Sequence, residues 1–170
     1  GREWYRCHLL LRGAMLRQAG VAPADVLRRA ADWFLAHGRR DDAVRHLLAA
    51  GDGQAAAAVL DSSEQWFLDR GSAAAFLQLG EALQPETVSP GLALALAYGA
   101  ATCGRSDRVG HWLDVCDAGI TDDTVLVAWR SPRAAAAVTR AMFGVPESAA
   151  GDAVALAREA LRAEGADGNP

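Results

Sequence analysis

The chain has 170 residues, 51% hydrophobic and 22% charged, a balance that excludes a disordered polymer and fits one folded domain or one run of repeats. All 17 basic residues are arginine and the formal net charge is −4, which argues against a basic face gripping a phosphate backbone. Without lysine no Walker A loop can be built, because that loop sets its lysine on the β and γ phosphates. No run approaches the roughly 18 apolar residues of a membrane span, and no signal peptide opens the chain, so the expected compartment is the cytoplasm. The sequence opens without methionine, as though inside a longer protein.

Residues 4–18 carry Leu11, Met15 and Leu16 on one side and Arg12 and Arg17 on the other, which predicts a helix. Gly20–Ala22 break it, and Pro23 suits the first position of the next helix. From Val26 to Asp52 the spacing predicts two short amphipathic helices folded back at Gly38. Leu27, Ala30, Ala31, Phe34 and Leu35 form the first apolar stripe; Val44, Leu47 and Leu48 form the second, opened by Asp41 and Asp42 and ended by Gly51. Such a hairpin cannot bury its stripe alone and needs a neighbour of the same kind.

Asp52 is placed to cap a helix over 54–70 with Ala56, Val59, Leu60, Ser63 and Phe67 inward, ended by Gly71. Ser72 opens another through Phe76, Leu79 and Leu83, which Pro85 stops. Residues 84–91, QPETVSPG, read as a linker closing on the helix-starting pair Ser89-Pro90. Leu92, Ala95, Leu96, Gly99 and Cys103 then share a face, Gly104 and Ser106 turn the chain, and Val109, Trp112, Leu113 and Cys116 return to Gly119. After the polar stretch 121–124 come Val125, Leu126 and Trp129, a segment that in isolation also suits one short strand. Ser131-Pro132 either restart a helix or kink a longer one, with Ala135, Val138 and Met142 inward up to Gly144. A last helix over 148–163 places Ala153, Leu156, Ala157, Ala160 and Leu161 together, and 166–170 form a frayed tail.

An internal repeat supports this layout. Setting Asp42 on Asp107 pairs Val44 with Val109, His46 with His111, Leu47 with Trp112 and Leu48 with Leu113, an offset of 65 residues (111 minus 46). That is close to two units of the roughly 34-residue tetratricopeptide period. Asp152-Ala153-Val154 repeats Asp42-Ala43-Val44 once more. Small residues at Ala30, Ala57, Gly99, Ala135 and Ala157 suit the close approach of stacked hairpins. The expected fold is all-α: a tetratricopeptide-like right-handed superhelix of antiparallel pairs, about nine helices in total.

The reactive residue types fall into structural roles. Cys7, Cys103 and Cys116 have no metal spacing. In an antiparallel hairpin Cys103 and Cys116 lie about 15 Å apart, beyond the roughly 7 Å a disulfide spans, so both read as small buried hydrophobes. His37 suits a helix C-terminus, and His46 and His111 share a repeat position as packing histidines. The acids Asp41-Asp42 and Asp122-Asp123 fit helix starts. Trp33, Trp66, Trp112 and Trp129 read as core, and one exposed on a concave face would be a binding anchor. No metal site and no catalytic set is expected, and no serine, cysteine or threonine has a base at a motif spacing.

WYRCHLLLRGAML, from Trp4, resembles the stretch W-Y/F-R-Y-H-P-L-F-R-x-x-L that closes the winged-helix part of the ATPase module in large LuxR-type transcription regulators. Downstream, RRAADWFLAHGRRDDAVRHLLAAGD is similar to that family's H-R-x-A-A-x-W-x-x-x-x-G-x-x-x-x-A-I-x-H-A-L-A-A-G-D. The first match departs at Cys7, where the family has an aromatic, and at Leu9, where it has proline; the resemblance covers residues 4–60. It implies that 1–22 end a winged-helix/ATPase module, 23–84 hold the first hairpins and 85–165 continue as tetratricopeptide-like repeats. It further implies an ATP- or ADP-binding module upstream in the same chain and a DNA-binding helix-turn-helix downstream. In related signalling ATPases a histidine near the end of the winged-helix part touches the nucleotide phosphate, a role the resemblance places on His8 with Arg6. Read from the residues alone, His8 is a structural histidine at a helix start. The expected function is a helical-repeat segment for binding an inducer or partner protein and for self-association, without direct nucleic-acid or membrane contact. A stand-alone tetratricopeptide-type scaffold is the alternative.

Overall fold

The computed structural model describes residues 22–126 and 131–143, together with single helical positions at 155, 158 and 162. These residues hold eight α-helices: α1 (Ala24–Ala36), α2 (Arg40–Ala49), α3 (Gly53–Asp61), α4 (Glu64–Asp69), α5 (Ala73–Gly80), α6 (Pro90–Thr102), α7 (Ser106–Gly119) and α8 (Pro132–Phe143). A single 3₁₀ turn, Pro85–Thr87, joins α5 to α6. Among the described residues there is no strand, only one isolated bridge at Leu126, so the chain is all-α as its periodicity predicts. No helix among them is long and apolar enough to cross a membrane.

One device ends four of the helices. Gly38, Gly51, Gly71 and Gly104 all have positive φ, between 63° and 73°, a conformation that costs an L-residue with a Cβ. Each glycine N–H bonds the carbonyl three residues back, and the next residue's N–H reaches five back. For Gly38 these bonds are Gly38 N–H to Leu35 O (3.0 Å) and Arg39 N–H to Phe34 O (2.9 Å). The same pair recurs at the other three turns, with Asp52 to Leu47, Ser72 to Phe67 and Arg105 to Ala100. This is the Schellman motif, which satisfies carbonyls the helix leaves open. At the first turn the Arg39 guanidinium lies 4.8 Å from the Phe34 ring centroid, a cation–π contact where an apolar one is usual.

Helix starts are less uniform. Asp52 caps α3 by accepting from Ala55 N–H at 3.3 Å, and Ser89 caps α6 by accepting from Leu92 N–H at 3.0 Å with Pro90 behind it. Ser131 accepts from Ala134 N–H at 3.2 Å, so Ser131-Pro132 open a new helix. Asp41 and Asp42 do not cap: Arg39 holds the cap position without a side-chain bond, and the two acids sit in the first turn, where they complement the helix dipole. Asp122 and Asp123 start no helix within the described residues; they are exposed in a turn closed by Thr124 N–H to Thr121 O.

The rod expected over 54–70 is broken between Asp61 and Glu64. Ser62 and Ser63 both donate their hydroxyls to Val59 O, and Ser63 N–H turns to Leu60 O at 3.0 Å. Hydroxyls that bond the backbone this way compete with the ladder and bend or end a helix. Ser63 is nonetheless buried, as its phase predicted. The helix opened at Ser72 stops at Gly80, short of Leu83, which remains buried in the following turn. Leu35 and Met142, expected inward, are 36% and 61% exposed.

With α3 and α4 counted as one interrupted rod, each substantial contact joins elements one or two apart along the chain. Neighbours pack in sequence from α1 to α8, and α2–α5, α3–α6 and α6–α8 pack across one intervening element. Stacked helix pairs produce this layering. Its hub is α6, which touches α3, α5, α7 and α8. Leu92, Ala93, Ala95, Leu96, Ala97, Gly99 and Ala100 are all buried, and an uncharged helix apolar on most sides is one surrounded by others. One buried cluster runs from Ala31 to Ala136.

The aligned repeat positions match in burial at three pairs and differ at a fourth, where Leu48 is half-buried and Leu113 wholly buried. Val44 and Val109 are buried at matching positions of α2 and α7, as are Leu47 and Trp112, while His46 and His111 are both half-buried. Ion pairs lie across the layers: Arg28 to Asp52 at 3.0 Å, Arg108 to Glu81 at 2.8 Å, and Arg140 to Asp114 and Asp117 at 2.9 and 2.6 Å. They face solvent, where screening and the cost of ordering two long side chains leave each with little net effect on stability.

Candidate functional site

The nucleotide-contacting residues that the resemblance assigns, Arg6 and His8, lie outside the described residues, as do Cys7 and Trp129. Four other singled-out groups have structural surroundings. His37 caps α1, its Nδ1 lying 2.7 Å from Trp33 O and its ring stacked on Trp33 at 3.8 Å. His46 Nδ1 lies 2.7 Å from Asp42 O on its own helix. Cys103 and Cys116 are free thiols, Cys116 buried as expected and Cys103 only half-buried at the end of α6; burial pushes the Cys116 thiol up to about 11, with Asp117 adding to the effect, so it is a weak nucleophile at neutral pH. Among the described residues no group of three or more His, Cys, Asp or Glu is arranged to hold a metal.

A concave site does exist, at a place no motif marked. A groove of about 610 Å³ opens where α3 ends, α4 and α6 begin, and the segment after α7 passes over. Its floor is a single stripe of α6: Gly91, Leu94, Ala95 and Tyr98, at the i, i+3, i+4, i+7 spacing of one helix face. Val125 and Leu126 form one wall, and Asp61 and Glu64 stand on the other. The volume lies within the range of pockets that take small ligands, roughly 300–1,000 Å³.

The chain's turn chemistry builds this place. The break at Ser62-Ser63 puts Asp61 at the end of one helix and Glu64 at the start of the next, so both carboxylates reach the groove. Asp61 Oδ2 accepts from Ser89 Oγ at 3.0 Å, and the same hydroxyl oxygen accepts from Leu92 N–H. Asp61 is thereby tied to the N-terminus of α6, whose dipole partly offsets its charge. Glu64 has its carboxyl pushed up by partial burial and then by the neighbouring Asp61 charge. On the far side the Tyr98 ring meets Phe143 edge-on at 5.1 Å, and its hydroxyl lies 3.7 Å from Met142 Sδ. Tyr98 is 37% and Val125 87% exposed, leaving two large apolar surfaces open at the groove.

The aromatic at the groove is therefore a tyrosine. Trp112 is buried in the core with its Nε1 lacking a hydrogen-bond partner, Trp33 is stacked on His37, and Trp66 is half-buried under the Arg70 guanidinium at 4.4 Å. None of these three lines the groove. The sequence gives Tyr98 no signal, because α6 carries no charged residue and so offers no polar face to count from. Comparison with protein-family models, with curated proteins and with solved structures finds no match for this chain.

Proposed function

We propose that this chain is the guest-binding helical segment of an ATP-dependent LuxR-type regulator, with the groove on α6 as the seat for an inducer or partner. The observation that carries the reading is the groove itself, a concave stripe of Gly91, Leu94, Ala95 and Tyr98 on a helix otherwise wrapped by neighbours, with Ala95 buried at its base, Gly91 and Leu94 half-buried and Tyr98 exposed. The resemblance over 28–52 supports it. Ala31 and Ala43, shared with the family pattern, are wholly buried, as is Val44 where that pattern has isoleucine, and Gly38 and Gly51 make the two turns.

In this reading the segment is a sensor and carries no reaction. A guest that fits the groove better in the open form of the upstream module shifts the nucleotide switch toward that form, by no more than its difference in affinity for the two states. The test is to titrate effectors against the intact regulator with nucleotide exchange as the readout. An effector response that disappears on deletion of 52–163 is expected, and one that survives the deletion rejects the proposal. A reading frame with no Walker A motif upstream would leave the stand-alone scaffold in its place.

A further inference from the structure

Building on that sensor reading, we infer that the groove's guest is a small organic cation: an apolar body bearing an ammonium or guanidinium group, seated with its charge between Asp61 and Glu64 and its body on Leu94 and Tyr98. Three features argue for positive charge. Two carboxylates line the groove, and no arginine or histidine does so among the described residues, in a chain with 17 arginines. Arg40, which reaches the same helix break, is held on Ser62 O at 3.1 Å and Ser63 Oγ at 2.9 Å. The partial positive end of α6 already serves Asp61 through Ser89, and among the described residues no ion pair meets the charge of Glu64.

The opposite side argues for an apolar body. Leu94, Ala95, Val125 and Leu126 offer no charge, and Tyr98 presents a ring that suits either a hydrocarbon or the edge of a cation. An anion would face both carboxylates at once. A fully apolar guest would strip water from them without return, which is costly for a charged group.

The 170-residue chain is titrated by calorimetry with three probes of similar shape: 2-phenylethylammonium, 2-phenylethanol and phenylacetate. The ammonium is expected to bind roughly tenfold tighter than the alcohol, the gain of one charge-assisted contact, and phenylacetate to bind weakest. Glu64→Gln and Asp61→Asn, the latter keeping an acceptor for Ser89, should each remove most of that preference by weakening the ammonium more than the alcohol. In the unaltered chain, added salt should weaken the ammonium alone. Amide shifts in a nitrogen-labelled sample should centre on 89–98. Equal binding of ammonium and alcohol, tighter binding of phenylacetate, shifts centred elsewhere, or no binding of the ammonium would each overturn the inference. A cation-selective groove in a regulator whose nucleotide exchange ignores the cation would sink the sensor reading and leave the site standing. Exchange that responds only to a neutral or anionic effector would do the reverse.

Discussion

Replacing Gly80 by alanine separates a close helix approach from a permissive backbone. Gly80 ends α5 without a positive φ, so alanine fits the backbone. Its Cβ, however, would stand 2.3 Å from Leu96 Cδ2, 2.7 Å from Cδ1 and 3.1 Å from Cγ, and Leu96 is wholly buried in the hub helix. Overpacking of this kind costs roughly 1–3 kcal/mol. The helix-propensity gain of Gly→Ala is at most about 1 kcal/mol and smaller at a helix end, so the clash wins. Urea unfolding followed by tryptophan fluorescence should show Gly80→Ala less stable by about 1–2 kcal/mol at unchanged m-value. Leu96→Ala alone should cost about 2–5 kcal/mol, and in the double variant the new methyl occupies vacated space, so the two costs should fall short of additivity by about 1 kcal/mol. Gly99 is the control: a Cβ there would lie 3.5 Å from Phe76 Cδ1, ordinary contact. Gly99→Ala, inside α6, should therefore be neutral or stabilising by up to about 1 kcal/mol. If Gly80→Ala behaves like Gly99→Ala, α5 and α6 do not meet as described.

The turn glycines fail for the opposite reason. A Cβ at Gly38 or Gly104 would meet nothing within 4 Å, yet alanine at either should cost about 1 kcal/mol or more in the same unfolding assay because φ is positive. Glu64 titrates above its unfolded value of 4.5, so its charge costs the native state stability above the folded value, and that cost vanishes below 4.5. Glu64→Gln should accordingly raise the urea midpoint at pH 7 and lose that advantage as the pH falls through the folded value. Asp52 has the opposite sign: the Arg28 hydrogen bond, then the Ala55 N–H, hold it below 3.8, so its contribution is complete above 3.8 and lost as pH falls through the lower folded value. Asp52→Asn should narrow the difference in stability between pH 7 and pH 2.5. In a Cys7→Ser background, Cys103 should react with a thiol reagent at pH 8 well before Cys116, whose labelling should track global unfolding.

Much of the helical layout was legible because its signals are local. Gly38, Gly51, Gly71 and Gly104 punctuate the chain by backbone conformation alone, and Ser89-Pro90 and Asp52 mark helix starts by side-chain geometry that needs no neighbour. The break at Ser62-Ser63 was missed because apolar phase runs unbroken through it. Two hydroxyls turning onto Val59 O are a competition that periodicity does not register. The exposure of Leu35 and Met142 depends on which neighbours cover α1 and α8, a tertiary matter. The groove was the least legible of all. Asp61, Tyr98 and Val125 are far apart in sequence, and only the folding of α3 against α6 and the return of the segment after α7 bring them to one place.

The proposal that the α6 groove governs the regulator stands most directly on one comparison: nucleotide release from the intact regulator, saturated with an active effector, in the native chain and in Tyr98→Asp. Loss of the effector's acceleration in the variant, with helical circular dichroism retained, is the expected result. Full acceleration in Tyr98→Asp would place the guest elsewhere and contradict the groove as its seat.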